Sequence, residues 1–164
     1  MRALRRHALG GSLTLRQVMP SGRPDDVALL GRLLLATALA AVVGWEREHA
    51  GKAAGLRTHM LVGLAAALYT ALGTIAMGVA QGDAGLRADP IRVIQAVALG
   101  VGFLGGGAIS GSRSAGHVVG LTTAASVWAT AAVGIAAGVG QYLLAAGGTV
   151  IQLVVLRGFA RFDR

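Results

Sequence analysis

The chain has no cysteine and few aromatics or charges: 4% of its 164 residues are aromatic and 13% charged. Without cysteine there are no disulfides, no thiolate metal sites and no cysteine nucleophile, and the redox compartment stays open. The charged share is about half that of ordinary soluble domains. What fills the chain instead is Ala, Leu, Val and 26 glycines, with 54% hydrophobic residues and a mean hydropathy of +0.65. Small apolar residues in this proportion belong to closely packed transmembrane helices rather than to soluble cores built on aromatics. The net charge of +8 comes without interleaved aromatic platforms, so basic flanks beside membrane spans explain it and nucleic-acid binding does not.

Hydropathy predicts an all-α polytopic bundle of five spans, at 27–45, 60–80, 91–109, 120–138 and 141–156, the last slightly short. Five such runs leave too few polar residues to cover a soluble surface. Arg32, about one and a half turns into the first span, can snorkel. Asp89 and Pro90 open the third span as N-cap and first helical residue. The Gly-rich turn at 138–140 makes spans four and five a tight hairpin. Residues 1–26 read as a disordered basic tail; the alternative is that translation starts at Met19, just before the first span. Residues 27–157 form the membrane domain and 158–164 a short basic tail with no soluble domain after it.

Lys and Arg set the orientation. The 46–59 loop carries three, the 110–119 loop carries Arg113, and the C-terminus carries three; the opposite side offers Arg16, Arg23 and Arg87. The positive-inside rule therefore places loop 46–59 and the C-terminus in the cytoplasm.

None of the seven carboxylates (Asp25, Asp26, Glu46, Glu48, Asp83, Asp89 and Asp163) falls mid-span, which makes a poor Mg²⁺ carrier or proton-coupled pump. The histidines (His7, His49, His59, His117) lack zinc-binding spacing and read as loop or interfacial groups. No nucleophile elbow or Walker A lysine occurs, so no catalytic, metal or cofactor site is expected. Gly100, Gly102 and Gly105 satisfy G-x-G-x-x-G, but inside an apolar run with neither strand nor turn, which argues against a dinucleotide. Gly102/Gly106, Gly107/Gly111 and Gly134/Gly138 have the spacing of close helix packing. The crowd of glycines from 100 to 107 also suits a bend or break in span three that could expose backbone to a ligand. Arg92 and Gln95 either remain local, with Arg92 paired to Asp89, or reach toward Thr122 and Thr123 at the head of span four.

Five stretches in order, Gly44-Trp45-Glu46-Arg47-Glu48, Gly55-Leu56-Arg57-Thr58-His59, Asp89-Pro90-Ile91-Arg92, Gly102-Phe103-Leu104-Gly105-Gly106-Gly107 and Gly120-Leu121-Thr122-Thr123-Ala124-Ala125, resemble the hallmarks of the MgtC/SapB family of bacterial inner-membrane proteins. Trp45 stands for the usual Leu and Gly106 for the frequent Ala, and Gln95 matches only some members. Many members append a soluble C-terminal domain, and none is expected after Arg164 in this sequence. The resemblance implies a five-helix membrane domain, a link to growth at low magnesium and, in pathogens, survival inside host cells. It also implies a membrane-protein partner, the ATP synthase for some members. Beside it, Gly and Ala faces without a catalytic set suggest a non-enzymatic protein that binds membrane proteins or itself, with loop 46–59 as the contact surface. A small ion channel or transporter, lined by a broken span three, is the alternative.

Overall fold

The computed structural model describes residues 24–80, 89–110, 113–114 and 117–158. It contains five helices, α1 Pro24–His49, α2 Leu56–Ala80, α3 Pro90–Ser110, α4 Leu121–Gly138 and α5 Tyr142–Gly158. A two-residue antiparallel ladder, Arg113–Ser114 with His117–Val118, lies between α3 and α4. Four of the helices are long and apolar enough to cross a membrane, and α5 is a shorter apolar helix. The fold is thus the expected all-helical bundle. The notional tail at 1–26 falls largely outside the described residues, although α1 already begins at Pro24.

Helix α4 is the hub and touches each of the other four. Successive helices alternate in direction, which leaves α2 and α4 parallel: His59 meets Ser126 near their starts, and Ala67 meets Gly138 near the end of α4. The seam between them is made of the smallest residues. A Cβ added to Gly134 would lie 2.5 Å from Gly63 O, and one added to Gly138 would lie 3.0 Å from Ala67 Cα. Gly63 also faces α1, where an added Cβ would lie 2.6 Å from Ala40 Cβ. Ala36, Ala40, Ala66, Ala67, Ala137 and Ala145 are buried to 1% exposure or less, whereas Phe103 and Leu143 are more than four-fifths exposed. Small side chains inside and large apolar ones outside suit a bundle in hydrocarbon, where backbone approach and dispersion replace the hydrophobic drive.

Both tight turns end in the same way. After α1, Gly51 (φ 64°) donates to Glu48 O and Lys52 N–H to Arg47 O; after α4, Gly140 (φ 84°) donates to Ala137 O and Gln141 N–H to Ala136 O. These are Schellman closures, whose left-handed residue glycine adopts without a Cβ penalty.

Two expectations are corrected. Helix α3 runs unbroken through its glycines, because nothing in the stretch removes a backbone donor: glycine lowers helix propensity but keeps the i→i−4 ladder. The charged stretch is largely helical too, since α1 continues to His49 and α2 starts at Leu56, leaving residues 50–55 as the turn.

Candidate functional site

The charged end of the bundle is where the polar side chains converge. Glu46 and Arg47, in the last turns of α1, are 8% and 3% exposed. Their side chains form a two-pronged ion pair, with Arg47 Nη2 donating to Glu46 Oε1 at 2.7 Å and Nε donating to Oε2. A bidentate guanidinium–carboxylate contact of this kind meets the requirement that buried charge be matched and hydrogen-bonded. Glu48 turns across the hairpin, and its Oε2 accepts the Leu56 N–H at 2.8 Å, satisfying a free donor at the start of α2. Gly44 allows this hairpin to close, since an added Cβ would lie 2.8 Å from Leu56 Cα. A pairing of Glu46 or Glu48 with Arg57 is not formed. Arg57 and Thr58 are exposed in the first turn of α2, so the surface offered at this end carries Glu48, His49, Lys52, Arg57 and Thr58, with Glu46 withdrawn into the interior.

His59 is fully buried, which corrects its reading as a loop or interfacial group. Its Nδ1 is 2.9 Å from Gly55 O and its Nε2 3.2 Å from Ser126 Oγ. A carbonyl only accepts, so Nδ1 carries a proton and donates. Neutral His59 therefore presents a lone pair at Nε2 to the Ser126 hydroxyl, whose one proton also has Thr123 O within reach at 2.8 Å. The imidazolium would donate to Ser126 Oγ and leave that proton to Thr123 O. The distance is that of a base and a hydroxyl nucleophile, but both groups lie in the packed interior, and the cavity described below does not include them.

The network continues along α4 and across to α5. Thr130 Oγ1 donates to Ser126 O at 2.8 Å, and Gln152 Nε2 donates to Ser126 O at 2.8 Å and lies 3.2 Å from Thr130 Oγ1. Gln152 Oε1 is buried without a partner among the described residues. Ser126, Thr130 and Gln152 were not anticipated from the sequence. The signal was available: Thr123, Ser126 and Thr130 sit three and four apart on one face of an apolar helix, and Gln152 is an amide mid-span, where a polar group costs free energy unless it is paired. Among the described residues no three His, Cys, Asp or Glu side chains gather as metal ligands.

The opposite end holds Asp89, Arg92 and Arg32. Asp89 Oδ1 accepts the Ile91 N–H at 2.9 Å as the N-cap of α3, and its carboxylate forms no ion pair with Arg92. Nor can Arg92 and Gln95 approach Thr122 and Thr123. Helix α3 starts beside the far part of α2, with Val93 against Gly73, and reaches α4 through Gly105 on Ala124. Arg92 is therefore about 20 Å from the start of α4 at 1.5 Å per residue. Thr122 is exposed and Thr123 buried. Arg32 has a specific role beyond snorkelling: Nη1 donates to Gly138 O and Nε to Tyr142 Oη, each at 3.3 Å. It thus places a cation on the carbonyl end of α4.

On α3 the outward stripe of Gln95, Leu99, Gly102 and Gly106 is exposed. A Cβ added at Gly100, Gly102, Gly106 or Gly107 would meet nothing within 4 Å, in contrast to Gly105, Gly134 and Gly138. A separate cavity of about 870 Å³ lies between α2 and α3, with apolar walls and Arg92 as the one charged lining residue among the described residues.

A family model described as the MgtC family matches residues 33–164. YhiD of Escherichia coli (strain K12), whose name assigns it provisionally to magnesium transport, is 41% identical over 128 residues, covering 78% of this chain and 59% of that protein. Protein SrpB of Synechococcus elongatus is 40% identical over 154 residues, 89% of this chain and 81% of its own. Protein MgtC of Brucella abortus is 36% identical over 117 residues, 71% of this chain and 45% of its own. The chain thus spans a little over half of YhiD and less than half of the Brucella protein. No solved structure matches it.

Proposed function

The chain belongs to the MgtC family, and from that premise we propose that it is a non-enzymatic protein of the bacterial inner membrane that acts by binding other membrane proteins. The observation that carries this reading is the outer face of α3. Leu99 and Phe103 are 79% and 84% exposed around Gly102 and Gly106, which have open space where a side chain would stand. Within one chain such glycines lower helix propensity and return nothing. Against a second helix they allow the backbone approach on which membrane association depends. The α2–α4 seam shows that contact type already in use within the bundle, through Gly63, Gly134 and Gly138.

The magnesium connection in the family is then a role in growth at low magnesium rather than conduction. Three features support this. The buried Glu46 is neutralised by Arg47. The carbonyls of the glycine stretch stay inside an unbroken helix. The cavity beside it is apolar. A cation path needs free carboxylates or carbonyls that replace hydration water. The ATP synthase is the partner that the family resemblance points to, and the α1–α2 turn and C-terminus face the cytoplasm by the positive-inside rule.

Photocrosslinking groups placed at Leu99 or Phe103 in native membranes test the reading, with Leu143 on α5 as the control. Adducts with another membrane protein, or with a second copy, form at the α3 positions and not at Leu143. Recovery of monomer alone from every position would rule the proposal out.

A further inference from the structure

We propose that the groove between α2 and α3 is a binding site for an anionic phospholipid, with the lipid phosphate on Arg92 and the acyl chains along the groove. It does not rest on the partner-binding reading, because the groove and the glycine stripe are different faces of α3: Arg92, Val97 and Leu104 line the first, and Gln95, Leu99 and Gly102 lie on the second.

The groove has the length of one leaflet. From Arg92 to Leu104 the groove follows α3 for about 18 Å, at 1.5 Å per residue. That is close to one leaflet, about 15 Å of a hydrocarbon core about 30 Å thick. A cavity of about 870 Å³ along that length has room for flexible hydrocarbon chains. The walls match them, with Leu61, Tyr69, Leu72, Val97 and Leu104 among the lining residues.

Charge is concentrated at one end. Arg92 is exposed in the first turn of α3, and helical side chains lean toward the N-terminus of their own helix, which here is toward the membrane surface. Its guanidinium therefore stands at headgroup level above an apolar slot, beside the positive end of the α3 dipole. Among the described residues no carboxylate lines the groove, and Asp89 is engaged with the Ile91 N–H. A guanidinium with unused donors binds a phosphate in two-pronged fashion.

The test is native mass spectrometry of the full chain in mild detergent, supplied with equal amounts of phosphatidylglycerol and phosphatidylcholine carrying the same acyl chains. The wild type retains phosphatidylglycerol in preference. Arg92→Gln lowers that retention about tenfold, equivalent to about 1.4 kcal/mol, and lowers phosphatidylcholine, whose choline cation offsets the phosphate charge, by less. Gly100→Phe, at a lining position with open space around it, fills the slot and lowers retention of both lipids with Arg92 intact. Unchanged helical circular dichroism and elution volume establish that both variants are folded. Equal retention of the two lipids by the wild type, or undiminished phosphatidylglycerol on either variant, would overturn the proposal. So would a transmembrane peptide held in the groove that excess lipid does not displace.

Discussion

Two Gly→Ala substitutions of identical chemistry separate the inner glycines from the outer ones by the sign of their effect. At Gly134 the new Cβ lies 2.5 Å from the Gly63 carbonyl oxygen and 2.9 Å from Ala66 Cβ. An ordinary C···O contact is about 3.3–3.6 Å, so α2 must retreat by roughly 0.8–1.1 Å. It has little room, because Gly63 is pressed against Ala40 of α1 on its other side. Overpacking of this kind costs about 1–3 kcal/mol, while replacing a helical glycine by alanine returns about 0.8–1.0 kcal/mol. The difference spans about 0–2 kcal/mol, and with α2 held on its other side Gly134→Ala is expected toward the upper end of that loss. Gly102→Ala meets nothing within 4 Å, keeps only the propensity gain and is expected to hold or gain stability. Unfolding in mixed micelles by sodium dodecyl sulfate, followed by the fluorescence of Trp45 and Trp128, measures both midpoints. A Gly134→Ala protein as stable as wild type would refute the packing argument, and so would a destabilised Gly102→Ala.

Other perturbations follow from the polar contacts. Glu46→Ala strands Arg47 in the interior and should cost about 3–5 kcal/mol, with most of the loss recovered in the double variant Glu46→Ala/Arg47→Leu; the same unfolding assay reads both. Arg32→Ala removes the cation and donor from the end of α4 and should lower stability by about 0.5–1.5 kcal/mol, seen as a lower thermal midpoint in detergent. His59→Ala empties a fully buried site and removes the imidazole donor from Gly55 O, which keeps the backbone N–H of residue 59, a loss of about 2–4 kcal/mol. His59→Gln keeps a donor and should recover part of that loss in a thermal melt.

The element types and order could be read directly from the chain, because each apolar run is far longer than a soluble strand and is bounded by Gly, Pro or charge. The ends could not. Residues 46–49 are polar, and hydropathy ends the first span before them, yet they remain helical because Gly51 supplies the C-terminal closure and Glu48 caps the next helix. The site was half legible. Glu46, Arg47 and His59 stood out as charged or imidazole groups in an apolar chain, but the first two are buried as a pair with each other and His59 against Ser126, which α4 supplies across the bundle. The expectation for Arg92 failed on direction: proximity along a helical stripe says nothing about which end of the neighbouring helix lies alongside. The glycines divide in the same way. The spacing that makes Gly134 and Gly138 a packing seam also occurs at Gly102 and Gly106, and only the fold shows that one pair faces α2 and the other faces outward.

Mg²⁺ flux into liposomes carrying the purified chain and an internal magnesium-sensitive dye tests the central claim most directly, because it separates a binding protein from a conductor. Flux no greater than that of empty liposomes, with or without an imposed membrane potential or proton gradient, is the predicted result. Flux above that level, abolished by Arg92→Ala or Gly105→Leu, would contradict the account and return the chain to the transporters.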